Sequence, residues 1–287
     1  MIEIPHQALD SPTVGDLLRS LARRIDSDSA LLDAQVLLAH SLGRDRTWIM
    51  AHPEARLTPG QLASLEQAAA RLGRGEALPY VVGSWEFYGL EFALTPDVLI
   101  PRPETELLVD VARGWLNENP GRTSVADVGT GSGAIGVALA HHVPDIRVLA
   151  TDISIAALAI AKTNATRIGV VGQITFVHCD LFPSVTNGFD LICANLPYIP
   201  SERLKELAVA PREPALALDG GPDGLAVIRR LLEAAVGRLT AGGAILLEIE
   251  RSQGQSAMAA ARQAFPRAEV SVQSDLAGRD RLLEIQI

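Results

Sequence analysis

One short segment restricts the fold of this chain more than any other feature of its sequence. An apolar run at 124–128 leads into a glycine-rich turn, which reads Ala-Asp-Val-Gly-Thr-Gly-Ser-Gly-Ala-Ile-Gly over residues 126–136. Glycines allow the backbone to approach a ligand closely, and the first turn of a helix has N–H groups without a partner inside the helix. The segment therefore predicts a strand, a turn and a helix that together bind a ligand.

The glycine-rich turn is compatible with two kinds of ligand. Asp152 follows the next apolar run at 147–151, where its carboxylate can accept hydrogen bonds from both hydroxyls of a ribose. Gly131, Gly133 and Gly136 also satisfy the G-x-G-x-x-G pattern that is typical of dinucleotide-binding folds. On this segment alone, a nicotinamide dinucleotide and S-adenosylmethionine are equally compatible.

From about residue 103 onward, strand and helix patterns alternate. Helical spacing of apolar residues occurs, for example, at 154–168 and 224–240. Apolar runs that are typical of strands lie at 124–128, 147–151, 174–178, 190–194, 244–249 and 281–287. Such alternation predicts an α/β fold with a mostly parallel sheet and helices on both faces.

The part of the chain before residue 103 has a different character. Thr13 and the pair Thr58-Pro59 are typical of helix starts, and Gly43 of a helix end. Alternating apolar residues on both sides of Tyr88-Gly89 indicate a β-hairpin, which we interpret as a hinge. The sequence therefore predicts three segments: a helical domain at 1–77, a hairpin linker at 78–102 and an α/β domain at 103–287.

A second motif, Asn195-Leu196-Pro197-Tyr198, follows the apolar run at 190–194. It is expected at the carboxyl end of a parallel strand, where open α/β sheets bind ligands. An amide nitrogen is a poor nucleophile because its lone pair is delocalised, so methyl transfer to it from a sulfonium demands tight alignment. The side-chain oxygen of Asn195 and the carbonyl of Leu196 can each accept one N–H of such a nitrogen.

This motif favours methyl transfer over dinucleotide binding. Holding the nitrogen lone pair in line with a methyl group can lower the barrier by ~7–11 kcal/mol. Tyr198 adds an aromatic wall that can lie beside a positively charged sulfonium. The two motifs together therefore predict S-adenosylmethionine as the cofactor and an amide or amine nitrogen as the acceptor.

The charge of the chain argues against a nucleic-acid partner. The formal net charge is −9 and the isoelectric point is about 5.2. Proteins that bind duplexes usually present a basic face to the phosphates, and no basic run stands out here. No apolar run reaches the ~18 residues of a transmembrane helix, and the first residues do not resemble a signal peptide. We expect a cytoplasmic monomer without direct contacts to nucleic acid or membrane.

The order of the motifs resembles a known family. The glycine turn, Asp152 and residues 195–198 are similar to the motifs of class I amino-methyltransferases. Residues 100–106 read Ile-Pro-Arg-Pro-Glu-Thr-Glu and resemble the same segment of the PrmC/HemK family, the release factor glutamine methyltransferases. Further segments resemble that family at 213–221, at Gly242-Gly243 and at 275–281. The resemblance extends over nearly the whole chain, including the N-terminal helices.

The resemblance implies a fold and a reaction. The fold is that of a class I S-adenosylmethionine-dependent methyltransferase, a Rossmann-like, mostly parallel, doubly wound sheet, with a small N-terminal helical bundle that recognises the substrate. The reaction transfers a methyl group from S-adenosylmethionine to the side-chain amide N5 of the glutamine in the Gly-Gly-Gln motif of release factors 1 and 2. S-adenosylhomocysteine is the other product, and the modification modulates translation termination.

The resemblance also implies roles for individual residues. Asn195, Pro197 and Tyr198 would be catalytic, and together with Leu196 they would hold the glutamine amide. The cofactor would be bound by Gly129, Thr130, Gly131, Ser132, Gly133, Asp152, Asp180, Leu181 and Asn195. No metal site is expected. Two positions depart from the family, because Leu196 replaces the usual proline and Leu181 replaces a common aromatic residue.

Other functions remain as alternatives. An adenine N6-methyltransferase acting on nucleic acid uses similar Asn/Asp-Pro-Pro-Tyr chemistry, but it must reach or flip a base. The acidic charge and the segment at 100–106 argue against it. A cofactor-binding module without activity is disfavoured by residues 195–198, since binding alone does not need paired amide acceptors. The support for a dehydrogenase activity is weaker still, because no acid or base for hydride transfer stands out.

Overall fold

Helices make up the first part of the chain, and a β-sheet with helices on both faces makes up the second. The structure, a computed structural model, describes residues 12–184, 188–207, 210 and 212–287. The chain divides between Gly83 and Ser84 into two units, Met1–Gly83 and Ser84–Ile287. The three-segment division stays a prediction. In the described part of the chain, no helix has both the length and the apolar character needed to cross a bilayer.

The first unit contains five described helices around a core of its own. They are α1 (Val14–Ala22), α2 (Ala30–Leu42), α3 (Arg46–Ala51), α4 (Pro59–Gly73) and α5 (Leu78–Val82). Thr13 and Thr58 cap α1 and α4 through hydrogen bonds to the third backbone N–H of each helix. Gly43 ends α2 in the left-handed conformation, with φ of +62°. The fully buried leucines of this first unit include Leu17, Leu37, Leu38 and Leu65.

The predicted hairpin is present at the start of the second unit. Strands β1 (Ser84–Phe87) and β2 (Leu90–Ala93) pair in antiparallel fashion around Tyr88-Gly89. Both turn residues have positive φ, +55° and +73°. A two-residue turn of this kind matches the twist of the strands, and glycine adopts its conformation without strain.

A seven-stranded sheet forms the centre of the second unit. Its strands are β3 (Ser124–Val128), β4 (Arg147–Asp152), β5 (Ile174–His178), β6 (Phe189–Ala194), β7 (Leu239–Glu248), β8 (Glu269–Ser274) and β9 (Asp280–Gln286). The order is β5-β4-β3-β6-β7-β9-β8. Strands β3 to β7 are parallel, and β9 is antiparallel to both of its neighbours.

Helices cover both faces of this sheet. They are α6 (Glu106–Glu118), α7 (Ala134–His142), α8 (Ile155–Ile168), α9 (Ser201–Leu204), α10 (Ala226–Ala235) and α11 (Gly254–Ala264). Successive strand residues point to opposite faces. Val125 and Leu191 therefore pack in one core with residues of α6 and α7, whereas Ala126 and Ile192 pack in a second core with residues of α10 and α11. This arrangement confirms the predicted doubly wound α/β fold.

The two predicted motifs meet because of the strand order. Strands β4 and β5 continue the sheet on one side of β3, and β6 and β7 continue it on the other. The order therefore reverses between β3 and β6, and open α/β sheets bind ligands beyond the carboxyl ends of the strands at such a point. The glycine turn follows β3 and residues 195–198 follow β6.

The predicted elements differ from the structure at the end of one helix and at one strand. The helical pattern at 224–240 ends at Ala235, because Gly237 adopts a φ of +77° and β7 already begins at Leu239. Strand β8 was not predicted. It lies at the edge of the sheet, and each of its residues is exposed or half-buried, so it lacks the continuous apolar run of the central strands.

One buried asparagine connects three elements around the glycine turn. Asn164, on α8, accepts a hydrogen bond from the backbone N of Ala93 at 2.7 Å. Its Nδ2 donates to the carbonyl of Ala93 at 3.1 Å and to that of Ser132 at 2.9 Å. The side chain thus joins the hairpin, α8 and the glycine turn without leaving any of its own polar atoms unpaired.

We expect Asn164→Ala to lower the free energy of unfolding of the protein by about 1–3 kcal/mol, because buried backbone groups lose their partner. The neighbouring Thr163 is exposed and bonds only within its own helix, so Thr163→Ala serves as the control and should change stability by less than about 0.5 kcal/mol. Denaturant unfolding measures both. Equal effects of the two substitutions would contradict this role of Asn164.

Candidate active site

A cavity of about 800 Å³ opens at the carboxyl ends of β3 and β6. Its lining includes ten of the residues predicted for the site: Gly129, Thr130, Gly131, Ser132, Asp152, Asp180, Leu181, Asn195, Leu196 and Pro197. Tyr198 lines an adjoining cavity of about 160 Å³, and Asn195 lines both cavities. Gly133 lies behind the turn as the N-cap of α7.

The glycine turn packs against the second motif. Gly129 has a φ of +71°, and a Cβ built on it would lie only 2.7 Å from Cδ2 of Leu196. Any other residue at 129 would thus be strained in its backbone and would also displace Leu196. Leu196 is buried, so the residue that departs from the family pattern fills space beside the turn.

Most backbone N–H groups of the turn are already used within the protein. Those of Gly129 and Thr130 donate to the carbonyl of Thr151, each at 2.9 Å. The N–H of Gly131 donates to Oδ2 of Asp152 at 2.9 Å. These bonds hold the shape of the turn. The N–H groups that were expected to be free belong to the first turn of α7, where that of Gly136 donates to Asp127.

Asp152 retains the capacity to bind a ligand. Its Oδ1 accepts a hydrogen bond from the backbone N of Ser154 at 2.8 Å, and its Oδ2 accepts the bond from Gly131. An ionised carboxylate has about four acceptor positions, so two remain. The side chain is half-buried and lines the cavity, which is the position expected for a contact to ribose hydroxyls.

Asp127 is a structural acid that the sequence analysis did not identify. It is fully buried, and its Oδ2 accepts hydrogen bonds from Oγ1 of Thr130 at 2.5 Å and from the backbone N of Gly136 at 2.9 Å. Burial raises the pKa of Asp127 to about 6. The signal for it was an acid in an otherwise apolar strand, directly before the glycine turn.

The far end of the cavity carries an exposed ion pair. Asp180 accepts a hydrogen bond from Nη2 of Arg230 at 2.5 Å. Leu181, with a φ of +61°, accepts a hydrogen bond at its carbonyl from Oγ1 of Thr151 at 2.7 Å. Asp180 and Leu181, which were both predicted as site residues, line the cavity. Arg230 also lines it, but the sequence analysis treated this residue only as part of a helical pattern.

The near end contains a chain of hydrogen bonds behind Asn195. Its Nδ2 donates to Oγ1 of Thr105 at 3.1 Å, and Thr105 Oγ1 donates to Oε2 of Glu248 at 2.6 Å. The hydroxyl of Tyr198 donates to Oε1 of the same carboxyl at 3.2 Å. Burial raises the pKa of Glu248 and also that of Tyr198. The sequence analysis did not give Thr105 or Glu248 a role.

An ion pair joins two loops beside these residues. Arg102 donates to Oε1 of the buried Glu213, and the backbone N of Ile100 donates to Oε2 of that carboxyl at 3.2 Å. The segments around 100–106 and 213–221, which both resemble family motifs, are therefore in direct contact. Each contributes residues to the cavity wall, including Pro101 and Pro214.

Comparison with known proteins identifies the family. The release factor glutamine methyltransferase of Moorella thermoacetica is 42% identical, over 93% of this chain and 95% of its own length. The protein of the same name from Bordetella pertussis is 44% identical, over 88% of this chain and 93% of its own length. This chain belongs to the release factor glutamine methyltransferase family. The resemblance seen in the sequence is thereby confirmed.

Domain families and solved structures agree with this assignment. Residues 16–83 match the PrmC N-terminal domain, and residues 105–211 match the methyltransferase small domain. A crystal structure of a methyltransferase from Pyrococcus furiosus is 18% identical and superposes with a TM-score of 0.50, over 76% of this chain and 96% of that chain. At this identity the similarity shows the fold, that of a methyltransferase.

Asp127→Asn tests the buried acid. The folded state takes up a proton near pH 6, whereas in the unfolded state Asp127 should do so near its ordinary value of 3.8. The wild type should therefore gain stability relative to Asp127→Asn as the pH falls from about 7 to about 4, by up to about 3 kcal/mol. Denaturant unfolding of both proteins across this range measures the difference. A difference that does not vary with pH would exclude Asp127 as its source.

Proposed function

We propose that this protein transfers a methyl group from S-adenosylmethionine to the side-chain amide N5 of the glutamine in the Gly-Gly-Gln motif of release factors 1 and 2. The observation that carries the proposal is the position of Asn195. This residue follows the central strand β6 and lines both cavities, and its Nδ2 donates a hydrogen bond to Thr105. The name shared by the relatives of this chain supplies the substrate.

The larger cavity suits a nucleoside cofactor. Its volume of about 800 Å³ falls within the ~300–1,000 Å³ of typical small-molecule sites. Asp152 would accept hydrogen bonds from the ribose hydroxyls, and Asp180 and Leu181 would lie beside the adenine. Apolar side chains that line the remainder include Ile135, Ile153 and Val227. When bound, S-adenosylmethionine supplies an electrophilic methyl group on a sulfonium and leaves as S-adenosylhomocysteine.

Asn195 and Leu196 would orient the nucleophile. Oδ1 of Asn195 accepts one N–H of the glutamine amide, and the carbonyl of Leu196 accepts the other. Pro197 restricts the backbone next to that carbonyl, and Tyr198 forms an aromatic wall. Aligned in this way, the amide nitrogen would accept the methyl group that S-adenosylmethionine supplies, S-adenosylhomocysteine would leave, and the nitrogen would release one proton to water.

Specificity for a release factor would come from the helical part of the chain. Residues 16–83 match the family's N-terminal domain, and we propose that the segment predicted at 1–77 recognises the release factor away from the glutamine. The predicted hairpin linker at 78–102 and the catalytic domain at 103–287 complete this assignment. We further propose a cytoplasmic, monomeric enzyme that makes no direct contact with nucleic acid.

Mass spectrometry of a release factor tests the reaction, the acceptor and the partner together. Purified release factor 1 or 2 is incubated with the protein and labelled S-adenosylmethionine, with a release factor whose motif carries Gln→Ala as the control. Label on that glutamine alone is the expected result. No label there, with cofactor binding confirmed by calorimetry, would refute the acceptor, and adenine-containing nucleic acid would be assayed next.

We expect Asn195→Ala to lower kcat by at least about 100-fold, because the glutamine amide loses the acceptor that aligns it. Cofactor affinity, measured by calorimetry, should fall much less, since most of the proposed cofactor contacts come from other residues. A variant that no longer binds S-adenosylmethionine would contradict this division of roles.

Asp152→Ala should have the opposite profile. Loss of the proposed ribose contacts should weaken S-adenosylmethionine binding by roughly 1–3 kcal/mol, the usual cost of leaving hydrogen-bonding groups unpaired. Turnover at saturating cofactor should change less than in Asn195→Ala. Unchanged cofactor affinity in calorimetry would remove Asp152 from the ribose site.

A further inference from the structure

A buried chain of polar groups reaches from the sheet to the amide of Asn195. Glu248, at the end of β7, is 1% exposed and holds Thr105 and Tyr198 through its two oxygens. Thr105, which is 3% exposed, in turn contacts Asn195. None of the roles proposed above accounts for a carboxyl and a threonine buried at this place.

We propose that Thr105 and Glu248 are positioning residues that determine which end of the Asn195 amide faces the substrate. This inference rests on the proposed function, in which Oδ1 of Asn195 must accept a hydrogen bond from the glutamine nitrogen. A planar amide can be rotated by half a turn with little change in shape. The rotated form would present the N–H groups of Asn195 to the N–H groups of the substrate, and the two sets would repel each other.

The direction of the hydrogen bonds selects one of these two forms. An ionised carboxylate has no proton to donate, so Thr105 must donate its single hydroxyl proton to Glu248. The distance of 2.6 Å is typical of a hydroxyl that donates to a carboxylate. Oγ1 of Thr105 can then only accept, and the group that it accepts from must be Nδ2 of Asn195.

The carbonyl end of Asn195 is consequently directed away from Thr105. Among the described residues, Oδ1 of Asn195 has no hydrogen-bond partner, and the residue lines both cavities. Burial raises the pKa of Glu248, while the hydrogen bond from Thr105, the positive charge of Arg281 and the hydrogen bond from Tyr198 each lower it. Both hydroxyls donate to the oxygens of Glu248, one to each, which is the arrangement around an ionised carboxylate.

Thr105→Val and Thr105→Ser form a matched pair for the test. Valine keeps the shape but neither donates nor accepts, whereas serine keeps the hydroxyl. With release factor as substrate, we expect kcat to fall roughly tenfold or more in Thr105→Val and to stay within about twofold in Thr105→Ser. Calorimetry should show that both variants lose less cofactor affinity than Asp152→Ala does. A wild-type kcat in folded Thr105→Val would overturn the proposal.

Reversing the chain of hydrogen bonds gives a second, stricter test. Asn195→Asp alone places an oxygen against the lone pairs of Thr105 and should be nearly inactive. Adding Glu248→Gln supplies a side-chain amide that can donate to Thr105, whose hydroxyl can then donate to the carboxylate introduced at position 195. The double variant should therefore exceed Asn195→Asp in kcat by roughly tenfold. A merely structural role of Glu248 predicts a further loss instead, and that result would refute the proposal.

A measurement without turnover separates this inference from the proposed function. In ¹⁵N-labelled protein, the side-chain N–H groups of Asn195 should exchange slowly with solvent in the wild type and in Thr105→Ser, and faster in Thr105→Val. Asn195→Ala identifies the signal by its loss. Equal exchange in all three proteins would reject the role of Thr105, whereas a wild type that exchanges as expected but does not label release factor would reject only the proposed substrate.

Discussion

The packing of Leu196 against Gly129 is the contact on which the site depends. It lies where the turn after β3 and the loop after β6 meet, at the point where the strand order reverses. On one side the turn holds Asp152 through the N–H of Gly131. On the other side Asn195 is held by Thr105 and, through it, by Glu248. The proposed cofactor and acceptor contacts are therefore held by two segments that pack against each other.

Much of the fold and of the site could be predicted from local patterns. The central strands are continuous apolar runs because both faces of the sheet are covered, and Thr13 and Thr58 signal their helices by capping. Asp152 and residues 195–198 were recognisable because chemistry of this kind is concentrated at the ends of parallel strands. Ten of the twelve predicted site residues line the larger cavity, although their roles rest on the proposal.

What sequence patterns missed depends on contacts between distant parts of the chain. Strand β8 lies at an exposed edge and has too few apolar residues to stand out. Thr105 lay in the segment at 100–106 and Glu248 in the apolar run at 244–249, and only the fold places them next to each other. Arg230 and Asp180 are likewise far apart in the sequence, and their hydrogen bond depends on how the chain packs. The N–H groups of residues 129–131 are bound by Thr151 and Asp152, a detail of backbone geometry that the sequence does not show.

The hydrogen bond between Thr105 and Glu248 also has a consequence for the order of assembly during synthesis. The two residues are 143 positions apart, and Ile100 and Glu213 are 113 apart. A chain that emerges from its N-terminus exposes residues 100–106 long before their partners exist, so this end of the site cannot form until β7 has been made. A nascent chain can thus fold its helical N-terminal part first, while the amide of Asn195 can acquire the orientation proposed for it only after β7 has emerged.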